Sequence, residues 1–117
     1  IWTGSQFVAV GASSINYGAD SVVMYSSAGT SWTQVNLPTT AAPTGYTVRD
    51  VIWTDSTMYA VGDDSNKSRV IVSSVNAIDW TQVHQSTNTS GNGSLEGIAA
   101  SSSVVVTVGG TKSVTLP

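Results

Sequence analysis

An apolar stretch ending in glycine recurs along this chain, and that recurrence limits the possible folds more than any other feature. It reads Phe7-Val8-Ala9-Val10-Gly11, then Met58-Tyr59-Ala60-Val61-Gly62, then more weakly Val105-Val106-Thr107-Val108-Gly109. The first two copies are each followed by a second matching stretch, Trp32-Thr33-Gln34-Val35 and Trp80-Thr81-Gln82-Val83. Trp2 to Trp53 and Gly11 to Gly62 are both 51 residues apart, Trp32 to Trp80 is 48, and Gly62 to Gly109 is 47. The differences belong in loops, where insertions are tolerated.

The short stretches between these landmarks read as strands. Gln6–Val10 is apolar and rich in β-branched residues, and Gly11 ends it. Residues 12–20 are small and polar and read as a loop, 21–27 as a strand, and Ala28-Gly29 as a turn before the strand at Trp32. Residues 37–45 hold two prolines and a glycine, which rules out a central strand. The second unit repeats this order, with Asp55-Ser56 as a turn and 63–67 as a loop. The polar segment 85–94 leads into a third unit that lacks the Trp-bearing strand. No stretch has sustained helical periodicity with caps. A period of roughly 40–50 residues with four short strands per repeat is the pattern of a β-propeller blade. The expectation is an all-β chain of four-stranded antiparallel blades, about two and a half of them, at 1–37, 46–84 and an incomplete 95–117. It begins and ends within repeats, as expected of a segment of something longer.

The pattern apolar-Trp, turn, Phe/Met-X-Ala-Val-Gly, then Ser-Ser and Trp-Thr resembles the bacterial neuraminidase, or Asp-box, class of β-propeller repeats. That class carries Ser-X-Asp-Gly-X-X-Trp on the turn between the third and fourth strands. The resemblance implies an Asp that bonds turn amides and a Trp that packs between strands. In this chain the Asp position falls on Ala28 and on Val75. The glycine is kept as Gly29 and replaced by Ala77 or Asn76. The turns are therefore expected to lack the carboxylate, leaving Trp32 and Trp80 as packing residues. Sialidases of this fold use an arginine cluster, a Tyr/Glu pair and an acidic proton donor. Arg49, Arg69 and Glu96 sit in no matching motif, so no catalytic residue transfers.

Charge excludes several functions. Only 9% of residues are charged, and the net charge is −3 with four scattered basic residues, Arg49, Lys67, Arg69 and Lys112. Nucleic-acid binding and attraction to an anionic membrane both need clustered cations. No apolar run approaches the ~20 residues of a spanning helix. The absence of Cys removes disulfides, zinc-thiolate sites and thiol nucleophiles. Polarity rests instead on Ser, Thr, Asn, Gln and Gly, a composition common on outer surfaces.

Few residues suggest chemistry. Asp63-Asp64 is a candidate Ca²⁺ pair, or a pair of carboxylates bracing a turn. His84 has no second His or Cys with which to hold a metal. Trp2, Trp32, Trp53 and Trp80 are either sugar-stacking platforms or inter-blade packing, and their recurrence favours packing. Tyr17 and Tyr46 lie in or beside polar loops and are candidates for exposed contacts. Asn66, Asn88 and Asn92 head N-glycosylation sequons. The expected role is a non-catalytic structural or adhesive module of an extracellular, cell-surface or virion protein, binding glycan or protein surfaces. No cofactor, metal or catalytic residue is assigned. Expected partners are the rest of its own propeller or other copies of the chain, since an unclosed series of blades leaves apolar faces and sheet edges open. Three alternatives are a sialidase-like hydrolase with its catalytic residues outside this segment, a self-assembling β subunit completed by a neighbour, and an assembly factor built on the same repeats.

Overall fold

A computed structural model describes residues 1–12, 21–38, 41–42, 45–64, 68–86, 94–110 and 114–116. None of the described residues is helical. The strands are β1 (Phe7–Ala12), β2 (Ser21–Ser26), β3 (Thr33–Asn36), β4 (Thr47–Thr54), β5 (Thr57–Asp63), β6 (Arg69–Ser74), β7 (Thr81–Ser86), β8 (Gly97–Ala100), β9 (Val105–Val108) and β10 (Val114–Leu116). The chain is all-β, and every strand pairs antiparallel with its sequence neighbour. Among the described residues these meanders form three sheets, β1-β2-β3, β4-β5-β6-β7 and β8-β9-β10. In the first sheet, Ile1-Trp2 lies beside β1 where the second sheet has β4. Trp2 bridges Phe7, and the Val8 amide donates to the Ile1 carbonyl at 2.9 Å.

Register places the recurring residues at matching positions. Phe7 pairs with Ser26 and Met58 with Ser74, while Val10 pairs with Val23 and Val61 with Ile71. Strand side chains alternate in direction, so each copy of the apolar stretch has two faces. In β5, Met58 and Ala60 join a core with Val8 and Val23 of the first sheet. Val61 points the other way, into a second core with Ile71 and Leu95. Central strand β6 divides likewise, Val70 and Val72 to one core and Ile71 to the other. This two-sided burial explains its unbroken apolar run. Each such Val, Ile or Met contributes about 1.5–3 kcal/mol through burial.

Three details depart from the alternation expected of the sequence. Val48 and Val51 lie three residues apart yet occupy one core, and the irregularity in β4 between Val48 and Asp50 reconciles the spacing. Strand β7 runs to Ser86, beyond the expected end at Val83, because Arg69 and Val70 of β6 pair with Ser86 and Gln85. A second irregularity, between Ile71 and Val72, absorbs Val83. The Pro-containing connection also plugs the core. The amides of Ala41 and Ala42 both donate to the Pro38 carbonyl, and both alanines are buried. The expected loop at 12–20, including Tyr17, lies outside the described residues apart from Ala12, which ends β1.

Glycine has a definite steric role in the repeat. A Cβ on Gly62 would stand 1.7 Å from the Thr47 carbonyl oxygen, and one on Gly109 would stand 2.1 Å from that of Ser94. At Gly11 nothing among the described residues lies within 4 Å.

Candidate functional site: the inter-sheet groove and the braced turns

Two hairpin turns from neighbouring sheets define a groove. Thr54 and Thr57 flank the two-residue turn Asp55-Ser56, and Asp55 takes φ +53°, a conformation Asp tolerates better than most residues. The matching turn of the third sheet is Ser101-Ser102-Ser103, where the Ser101 Oγ accepts from the Val104 amide at 3.2 Å and the Ser101 amide donates to the Val104 carbonyl at 2.9 Å. Between them lies a cleft of about 280 Å³ lined by Thr54, Asp55, Ser56, Tyr59 and Ser101–Ser103, among others. A neighbouring depression runs past Trp53 toward Ala100, and the half-buried Trp53 side chain itself packs against the core shared with the first sheet. The cleft thus combines hydroxyls, one exposed carboxylate and the aromatic ring of Tyr59. Sequence reasoning had Asp55-Ser56 only as a turn, because the serine run that faces it lies 45 residues further on.

The irregularity in β4 sets a charged cluster at the opposite end of the same strand. Arg49 Nε donates to Asp63 Oδ1 at 2.6 Å, and Arg49 Nη1 lies 3.7 Å from Glu96 Oε2. Asp50 Oδ1 accepts from the Val51 amide at 2.9 Å. Its Oδ2 accepts from the Ile98 amide at 3.1 Å, so one carboxylate fastens the second sheet to the third. Nothing in the sequence singled out Asp50. Asp63 and Asp64, the candidate Ca²⁺ pair, both face protein groups. Asp63 takes the arginine, while Asp64 Oδ1 accepts from the Ser68 amide at 2.8 Å and braces the loop. Among the described residues no group of three or more His, Asp or Glu is placed to hold a metal. His84 sits on β7 opposite Ile71. Asn66, Asn88 and Asn92 lie outside the described residues.

Tyr46, expected as an exposed contact, is buried at 1% exposure. Its hydroxyl donates to the Val70 carbonyl at 3.2 Å, and the Ser21 hydroxyl donates to the Tyr46 backbone carbonyl. Burial pushes its phenol well above the usual range, and the Asp63 carboxylate adds to that. Polar neighbours in sequence concealed a residue that the first and second sheets enclose.

The turns before the Trp strands correct the expected alignment. Gly29 and Ala77 hold positive φ, +79° and +68°, at matching places. Ser26 Oγ accepts from the Gly29 amide at 2.8 Å, and Ser74 Oγ from the Ala77 amide at 2.9 Å. Trp32 Nε1 donates to the Gly29 carbonyl and Trp80 Nε1 to that of Ala77. Asn76, and not Val75, therefore stands where Ala28 stands. Its Oδ1 accepts from the Ile78 and Asp79 amides at 2.9 and 2.8 Å, so an amide oxygen braces the second turn after all. Val75 is 68% exposed. Counting back from each Trp, and not forward from the paired serines, is the signal that finds Asn76.

The four tryptophans divide sharply. Trp80 is 5% exposed and part of the core, and Trp53 packs against it. Trp2 and Trp32 are 50% and 41% exposed, contrary to a shared packing role, because the sheet that covers Trp80 has no counterpart over Trp32 among the described residues. No helix among the described residues is long and apolar enough to cross a membrane. Comparison with known proteins finds no match among family models, curated proteins or solved structures.

Proposed function

We propose that this chain is a non-catalytic β-propeller-type repeat module that attaches to glycans at an outer surface, extracellular or on a virion. Support for the blade arrangement is the shared spacing of the units and the central place of β4, which packs against β1 on one side and β8 on the other. The observation that carries the binding role is the groove between the Asp55-Ser56 and Ser101–Ser103 turns. A concave site with a few placed hydroxyls, one carboxylate and one aromatic ring suits a neutral saccharide, whose hydroxyls need both donors and acceptors. The hydrolase alternative places its catalytic residues outside this segment, and within it Arg49, Glu96 and Tyr46 are engaged by other protein groups. The arginine is held by two carboxylates and the phenol by a backbone carbonyl. That engagement favours bracing of the sheets over substrate chemistry.

A glycan array probed with the 117-residue chain tests the proposal. One or more neutral saccharides should bind, and Asp55→Asn should weaken binding by roughly 10-fold or more, the equivalent of losing one charged hydrogen bond. Asn tolerates the positive φ at this position, so the turn is retained. Silence across the array, or binding indifferent to both Asp55→Asn and Ser102→Ala, rejects the reading.

A further inference from the structure

The first sheet exposes a face that the second sheet buries, residue for residue. Phe7 is 39% exposed, and its counterpart Met58 is fully buried. Trp32 is 41% exposed against 5% for Trp80. Ala9 is exposed and Ala60 buried, and half-buried Met24 and Val22 match buried Val72 and Val70. The Trp2 and Phe7 rings meet tilted by 51°, 4.7 Å between centroids, and add to this patch. What covers the second sheet is the opposite face of the first, with Val8 and Val23 buried in the joint core and Val10 and Tyr25 packed against it.

The third sheet exposes that opposite face. Val106 and Val108, at the repeat positions of Val8 and Val10, are 38% and 54% exposed. Ala99 pairs with Val106 and is also exposed. Beside them is a shallow, mostly apolar depression of about 280 Å³ lined by Ala99, Ala100, Ser101, Val104 and Val106. The side chains named on either face carry no charge. The first sheet therefore presents the face that receives a sheet, and the third presents the face that covers one. Contiguous apolar surface of this kind marks an interaction site.

We infer that the Trp2/Phe7/Trp32 face of one copy receives the Val106/Val108 face of a second copy. The contact repeats between molecules the stacking that joins the first sheet to the second within one. It joins two different surfaces, so it propagates head to tail into a ring or a filament and does not stop at a symmetric dimer. The inference rests on the stacking of units, not on the groove ligand: a monomer that binds glycan overturns it and leaves the proposed function standing, and an assembly that ignores glycans does the reverse.

Sedimentation velocity on the 117-residue chain and two variants provides the test. The unaltered chain should form species several times its 12.1 kDa mass, growing with concentration. Phe7→Asp blocks the receiving face and Val108→Asp the covering face, so each alone should run as a monomer. Mixed together, they should form a 1:1 dimer through the two intact faces and nothing larger. Trp2→Lys repeats the first block with the Phe7 ring in place, and circular dichroism confirms that each variant keeps its strands. An unaltered chain that stays monomeric at every concentration overturns the inference and assigns these faces to another occupant. Variants that still self-associate, or a mixture that stays monomeric, also overturn it.

Discussion

Substituting alanine at Gly62 and at Gly11, the same position in two repeats, should give opposite results. At Gly62 the new Cβ would lie 1.7 Å from the Thr47 carbonyl oxygen and 2.8 Å from its carbon, with the Tyr46 ring at 3.1 Å. Backbone atoms cannot rotate away as a side chain does, so β4 must shift. Overpacking of a filled site costs about 1–3 kcal/mol, occasionally more, and contact with backbone belongs at the upper end. Removing a glycine from a strand interior returns about 0.5–1 kcal/mol. The net expected loss for Gly62→Ala is about 2–3 kcal/mol. At roughly 4 °C per kcal/mol for a chain of this size, Tm should fall by about 8–12 °C. At Gly11 the Cβ meets nothing within 4 Å among the described residues, so only the gain remains and Tm should hold or rise by about 2–4 °C. Calorimetry of both variants at one fixed protein concentration makes the comparison, since association would make Tm concentration-dependent. Equal shifts, or a loss at Gly62 below about 0.5 kcal/mol, would refute the claim that glycine is there to admit the neighbouring strand.

Three further outcomes follow from the same contacts. Asn76→Ala removes the acceptor for the Ile78 and Asp79 amides and should cost about 1–2 kcal/mol in urea unfolding. Asn76→Asp keeps that acceptor but sets a second carboxylate against Asp79, whose Oδ2 accepts from Asn76 Nδ2 at 2.9 Å, and should recover the loss only in part at neutral pH. Tyr46 binds its proton more tightly folded than unfolded. Its contribution is complete below the unfolded value of 10.0 and is lost as pH rises above it, by at most about 1.4 kcal/mol per pH unit. Tm should therefore fall between pH 10 and 12 more steeply in the unaltered chain than in Tyr46→Phe, and matching slopes would count against a buried phenol. Trp80→Ala should lose about 3–5 kcal/mol, and Trp32→Ala markedly less in a chain held monomeric by Val108→Asp, as read by chemical unfolding.

Much of the fold was legible because the repeat fixes strand number and spacing together. Apolar stretches ended by glycine located β1, β5 and β9, and Asp55-Ser56 and the Trp-Thr-Gln-Val copies located a turn and two outer strands. Local pattern did not reveal how a residue's neighbours in sequence relate to its neighbours in space. Tyr46 follows a polar Pro/Gly segment, yet two sheets close over it. Asp50 looks like one more polar residue in a strand until Ile98 arrives from 48 residues away. The groove joins Asp55 to Ser101–Ser103 only because the second and third sheets pack side by side.

The sequence by itself determined the all-β class, the repeat and the two-faced character of its apolar strands, since alternation and glycine placement are local backbone properties. Tertiary structure decided which face is covered. Trp32 and Trp80 have the same turn behind them and the same strand after them, and they differ in exposure because only one has a sheet against it. Burial depends on what packs alongside, and no pattern within one repeat encodes that.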